Sequence, residues 1–279
     1  MKSTVITTIM LLLFANSFAQ NFQGIAYYTS KTQLKDFNIT SNDLTPEMKD
    51  QMMEKMKKAF EKEYTLHFTN FESVYQEEEK LEKPNPSSGG LQVKMSFAGG
   101  HNSNKLYKNF KTNQYIADDD IFGKEFLITD SLKKMNWKLG NEQKKIGNYT
   151  CYKAQLFIPV LEEDLKKYEA NKKKKDDGKT NLLTLKEPKE TIIEAWYTLE
   201  IPVSNGPAKY WGLPGLILEL HEENTVYLCT KIVVNPKDKI EIKAPKNGKE
   251  VTQKEFDGIQ EKKLQSMMNE NGAIEIRLN

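Results

Sequence analysis

From residue 105 onward the chain breaks into short alternating or β-branched segments with no helical period between them, and this pattern restricts the fold more than any other. Lys105–Phe110, Glu125–Thr129, Asn136–Leu139, Cys151–Ile158, Thr191–Glu200, Leu216–His221, Thr225–Val234 and Lys239–Lys243 each read as a strand. Phe22–Thr29 and the alternating run Tyr64–Tyr75 add strand pattern nearer the N-terminus. Strands and helices do not alternate, so a parallel βαβ sheet is disfavoured. A mainly β fold is expected: an antiparallel curled sheet or open barrel with one or two peripheral helices, with a β-sandwich as the alternative.

Two helices are expected. Thr45-Pro46-Glu47 supplies a hydroxyl cap, a proline at the first helical position and an acid at the positive end of the dipole. Met48, Met52, Met56, Ala59 and Phe60 follow at helical spacing, a stripe suited to packing on a sheet. Thr252 and Glu255 form a capping box for a terminal helix through Phe256 and Ile259.

The first twenty residues read as an export signal. Lys2 precedes the apolar run Val5–Phe14, and Ser17-Phe18-Ala19 offers small residues for cleavage between Ala19 and Gln20. The run is too short to span a bilayer, and no later segment approaches that length. Residues 1–19 are therefore expected to leave, and 20–279 to form a single β-rich domain in the periplasm, on the envelope or outside the cell. Polar insertions occupy about 77–104 and 161–190. The second carries Lys172–Lys175 among Glu162, Glu163, Asp164, Glu169, Asp176 and Asp177, which reads as a solvated loop.

Charge bears on partners. Forty-one basic against 39 acidic residues leave a formal +2, without the basic stripe of a nucleic-acid binder. Cys151 and Cys229 are the two cysteines, both in strand-like segments. A disulfide between them and two separately buried thiols are both open, because sequence does not show whether their Cα atoms approach. They are too far apart for a thioredoxin-like motif.

The segment densest in constraint runs from Ala195 to Leu220. Pro202, Pro207 and Pro214 each remove a backbone donor, and Gly206, Pro207, Gly212 and Gly215 mark structural turns between two strands. Two roles are open for Trp196, Tyr197, Tyr210, Trp211, Leu213, Pro214 and Leu216. They form either an aromatic lip for binding or a plug closing one end of the core.

Gly212-Leu213-Pro214-Gly215-Leu216-Ile217 resembles the signature of the GLPGLI family, exported proteins of the Bacteroidetes. Tyr64–Tyr75, Phe126–Asp130 with Trp137, Lys145–Ala154, and Ala195–Tyr197 through Pro202 and Pro207 also look like elements of that family. The insertions depart from its compact pattern. The resemblance implies export and an envelope setting; it brings no catalytic residues to carry over.

Familiar catalytic patterns are missing. There is no Gly-x-Ser-x-Gly and no His-Glu-x-x-His, and Gly178-Lys179-Thr180 lacks the glycine a phosphate loop needs five residues earlier. His67, His101 and His221 are the histidines. His221 and Glu219 share a strand face and are weak metal candidates, and Asp118-Asp119-Asp120 offers oxygen atoms without the order of an EF-hand. No catalytic residue and no cofactor is implied. The expectation is a non-enzymatic binding or adaptor protein recognising an envelope protein or a lipid-like, apolar ligand, with a periplasmic metal-dependent or other hydrolase as the alternative.

Overall fold

A computed structural model of the chain describes residues 22–33, 45–47, 50, 51, 54, 58, 60–78, 105–121, 123–176 and 187–267. The expected signal segment, His101, Gly178-Lys179-Thr180, most of the first insertion and residues 177–186 of the second lie outside these residues, as do Met48, Met52, Met56 and Ala59. Pro46 and Glu47 are helical after Thr45, as the cap predicts.

The N-terminal strands are β1 (Gln23–Thr32), β2 (Glu61–Thr69), β3 (Glu72–Glu77), β4 (Lys105–Asn109), β5 (Gln114–Ile121) and β6 (Lys124–Ser131). They are followed by β7 (Lys138–Ile146), β8 (Tyr149–Ile158), β9 (Thr191–Thr198), β10 (Leu216–Glu222), β11 (Thr225–Val234) and β12 (Lys249–Val251). All twelve join one sheet in the order β12-β6-β5-β4-β3-β2-β1-β11-β10-β9-β8-β7. Neighbours are antiparallel except β12 and β6, which run parallel. Two meanders, β1–β6 and β7–β11, are thus joined where β1 pairs with β11.

The connection from β6 to β7 makes this sheet curl. These strands lie ten spacings apart in the sheet order, about 48 Å if the sheet were flat. Residues 132–137 join them and reach at most about 25 Å when fully extended. Only a curled sheet brings the end of β6 near the start of β7. The ends β12 and β7 do not pair, so the curl stays open. The architecture is the mainly β, curled sheet with peripheral helices that the strand pattern predicts.

Helix α1 (Glu162–Asp176) and helix α2 (Gln253–Met267) complete the described elements. The capping box is formed: the Thr252 N–H donates to Glu255 Oε2 at 2.8 Å and the Glu255 N–H to Thr252 Oγ1 at 3.3 Å. Phe256 then packs edge-on against Phe126 of β6 at 5.5 Å, joining Ile128 and Val251 in a small core.

Two expectations need correction. The acid- and lysine-rich stretch from Glu162 is a helix through Asp176 rather than a loop. It has no apolar stripe; Glu162, Glu163 and Asp164 sit at the positive end of its dipole, and Lys166 pairs with Glu162 at 3.8 Å. Lys239–Lys243 is not a strand: the Gln23 side chain accepts from the Ile240 N–H and donates to the Pro236 and Asp238 carbonyls, replacing ladder bonds. The run Tyr64–Tyr75 is strand on both sides of a turn at Asn70–Phe71, where Thr69 Oγ1 accepts the Glu72 N–H at 3.1 Å.

Candidate functional site

Pairing across β2–β6 aligns side chains on the inner face in rows. One row runs Leu66, Tyr75, Leu106, Ala117 and Ile128, and a second runs Phe68, Ser73, Lys108, Tyr115 and Asp130. Because successive strand residues alternate faces, each row points into the curl. The segment Ile201–Gly215 between β9 and β10 enters the same space. Between the rows and this segment lies a cleft of about 750 Å³. Tyr64, Tyr75, Tyr115, Tyr227 and Trp211 bring aromatic surface to it, and Leu106, Ala117, Ile128, Leu132 and Met135 bring aliphatic surface.

Lys108 links floor and wall. Its side chain is fully buried, and Nζ donates to the carbonyls of Ala208 at 3.0 Å and Gly206 at 3.4 Å. Burial pulls its pKa down to about 7. Asp119 lines the same cleft, and burial raises its carboxyl to about 6. Tyr64 and Tyr75 stack with ring centroids 4.8 Å apart. Burial, with Glu77 beside it, pushes Tyr64 up to about 12. The Tyr75 hydroxyl is buried without a hydrogen-bond partner among the described residues. Tyr115 donates to Gln253 Oε1 at 2.8 Å, tying the start of α2 to this wall.

The 201–215 segment is held on all sides. The Leu216 N–H donates to the Ile201 carbonyl at 3.0 Å, and the Ile217 N–H to Asn205 at 3.0 Å. Trp137 Nε1 donates to the Trp211 carbonyl at 2.8 Å, and the Tyr210 hydroxyl to Glu222 Oε1 at 2.6 Å. A Cβ on Gly215 would lie 1.9 Å from the Thr198 carbonyl oxygen, and Gly212 has φ +98°, so both sites require glycine. Gly206 and Pro207 are buried at the turn that Lys108 grips.

Most residues expected in an aromatic lip are core. Tyr210, Leu213 and Leu216 are at most 1% exposed, and Trp196 and Tyr197 are buried. Trp196 and Tyr197 are consecutive on β9, face opposite sides of the sheet and belong to different clusters. Trp211 lines the cleft and Pro214 is exposed. This is the arrangement of a plug, with Trp211 alone of the seven residues reaching the cleft.

The metal candidates are engaged elsewhere. Glu219 accepts from His221 Nε2 at 2.5 Å and Lys144 Nζ at 2.7 Å, and Lys144 also lies 4.2 Å from the Trp196 ring. Asp118, Asp119 and Asp120 do not converge, because they alternate along β5: Asp118 accepts the Lys105 N–H, Asp119 lines the cleft and Asp120 accepts the Gly123 N–H. Among the described residues no group of three or more His, Cys, Asp or Glu side chains is placed to hold a metal.

Cys151 and Cys229 are unbridged, buried thiols. They sit on β8 and β11, with β9 and β10 between them in the sheet, and share one core cluster. Burial raises Cys151 to about 11 and Cys229 to about 12.

Lys108 was not singled out by motif. The available signal was parity: Leu106 and Lys108 alternate onto one face of β4, so a lysine occupies an inward position.

Fold and site define an open, curled β-sheet protein with a plugged, tyrosine-lined cleft. A family described as "Protein of unknown function (Porph_ging)" matches residues 137–219, which include β7–β9, the plug and the first part of β10. No curated protein matches the chain. Solved structures of PNGF-II in space groups C2 and P21 are similar at TM-score 0.45 and 16% and 15% identity, over 88% of this chain. The chain spans about a third of their length, 34% in each case. Among the described residues no helix is long and apolar enough to cross a membrane.

Proposed function

We propose that this is an exported, non-enzymatic binding protein of the cell envelope that holds a ligand with an apolar portion in the cleft inside its curl. The observation that carries the reading is the cleft itself: about 750 Å³, floored by an apolar row and lined by a Tyr75 hydroxyl that has no hydrogen-bond partner among the described residues. Sites for small ligands have this size and combine apolar and aromatic surface with polar groups that orient the ligand. A buried hydroxyl without a partner is costly, and a ligand that bonds to it removes the cost. The plug gives the cleft a rigid wall, since Lys108, Trp137 and Tyr210 each tie it to a different part of the fold.

Export rests on residues 1–19, and assignment to the GLPGLI family rests on Gly212–Ile217 with its upstream companions. Native mass spectrometry of protein gently extracted from its own cell envelope tests the function. A recovered small-molecule adduct, lost on filling the cleft by Ala117→Trp, supports it. Bare protein that also takes up no small molecule from an envelope extract overturns it. N-terminal sequencing checks export: the mature chain should begin at Gln20.

A further inference from the structure

The cleft is chemically lopsided. Its acidic lining residues are Glu77, Asp119, Asp130, Glu222 and Glu223. Its basic ones are Lys108, Lys133 and Lys209, and two of these are already committed: Lys108 to two plug carbonyls, and Lys209 to Glu222 at 3.5 Å. Lys133 is exposed. Glu77 in turn pairs with Lys62 at 2.7 Å, and five acidic against three basic lining residues leave the cleft with an acidic excess.

The acids flank aromatic surface. Glu77 is the cross-strand partner of Tyr64, whose ring stacks on Tyr75, and Glu222 accepts the Tyr210 hydroxyl on the facing wall. Ring faces carry partial negative charge and attract cations, and carboxylates beside them add to that field. The Tyr75 hydroxyl lies in this cluster, at least nine-tenths buried and without a partner among the described residues, ready to accept a hydrogen bond from an N–H group. Below the tyrosines the row Leu106, Ala117 and Ile128 offers only hydrocarbon.

We propose that the ligand is an amphiphilic cation, a primary or secondary amine on an apolar body, seated with its body on Leu106, Ala117 and Ile128 and its nitrogen among Tyr75, Glu77 and Glu222. The proposal rests on the reading of the cleft as a binding site and adds the charge of what it binds. An anionic ligand would cover carboxylates with like charge. A neutral one would gain nothing from the acidic excess of the lining or from the negative ring faces beside it.

The test is calorimetric titration of the mature protein with phenethylamine, phenethyl alcohol and phenylacetate, at low and physiological salt. The amine is expected to bind at least about tenfold more tightly than the carboxylate. Its advantage should shrink with salt and in Glu222→Gln, and Tyr75→Phe should weaken it while keeping the ring. Equal or tighter binding of the alcohol or carboxylate overturns the cation while leaving the cleft as a binding site. Amine binding unchanged in both variants places it outside the cleft and overturns the proposal. No binding of any of the three to the folded protein overturns the cation, and the adduct experiment then decides the cleft separately.

Discussion

Lys108 Nζ lies 3.0 Å from the Ala208 carbonyl oxygen, so one side chain from the middle of β4 holds a loop 100 residues further along the chain. The contact joins the two meanders. It fixes the plug against the inner face of the sheet and completes a wall of the cleft. It also places a lysine where its charge is poorly solvated, and the first prediction follows from that.

Burial lowers the Lys108 pKa to about 7 from 10.5, so the folded protein releases this proton before the unfolded chain does. Between those values the unfolded state binds more protons, and stability rises with pH. Below about pH 7 both states hold the proton, and the gain is absent. Comparing urea midpoints of the wild type and Lys108→Met at about pH 6 and about pH 9 isolates the effect. The difference should shift in favour of the wild type at the higher pH; a constant difference would show that Lys108 titrates normally in the fold.

Glycines separate close packing from helix propensity. Gly215→Ala places a Cβ 1.9 Å from the Thr198 carbonyl oxygen, a rigid backbone atom, and should destabilise by about 3 kcal/mol or more. Gly258 lies within α2 with nothing near its Cβ position, so Gly258→Ala should stabilise by up to about 1 kcal/mol. Thermal and denaturant unfolding read both signs.

Both cysteines should behave as free thiols. Burial raises both pKa values, so a thiol reagent at neutral pH should leave Cys151 and Cys229 unmodified in the folded protein. In denaturant, without reductant, it should modify two per chain. Recovery of none under those conditions would demonstrate a bridge and a different strand arrangement.

Helix α2 should depend more on its anchor than on its cap. Thr252→Ala removes the hydroxyl of the capping box and should cost about 1 kcal/mol. Phe256→Ala removes a side chain 1% exposed against Phe126 and should cost about 3 kcal/mol or more. Loss of helix signal in Phe256→Ala, with sheet signal retained, would show that the helix docks as a separable unit.

Where local chemistry sufficed, the sequence was a sound guide. Strands near β4, β6, β8, β9, β10 and β11 were legible because their apolar residues alternate, and the start of α2 because Thr252 and Glu255 satisfy each other within three residues. Strand β5 was less legible: Asp118-Asp119-Asp120 looks like loop chemistry, yet pairing with β4 and β6 makes it a strand. Strand β12 is three residues long and exists only through its parallel pairing with β6.

The sequence by itself determined the β class, the strands β10 and β11, the capped terminal helix and the need for a stiff turn at the prolines and glycines between Trp196 and Leu220. These follow from alternation, capping and backbone freedom, which act over a few residues. Tertiary structure alone decided that Trp196 and Tyr197 serve different cores, that Cys151 and Cys229 lie three strands apart, and that Lys108 meets Ala208. Each depends on how the β1–β11 pairing and the short β6–β7 connection curl the sheet. Curvature of that kind sums many small twists over distant strands, and no local run of residues encodes it.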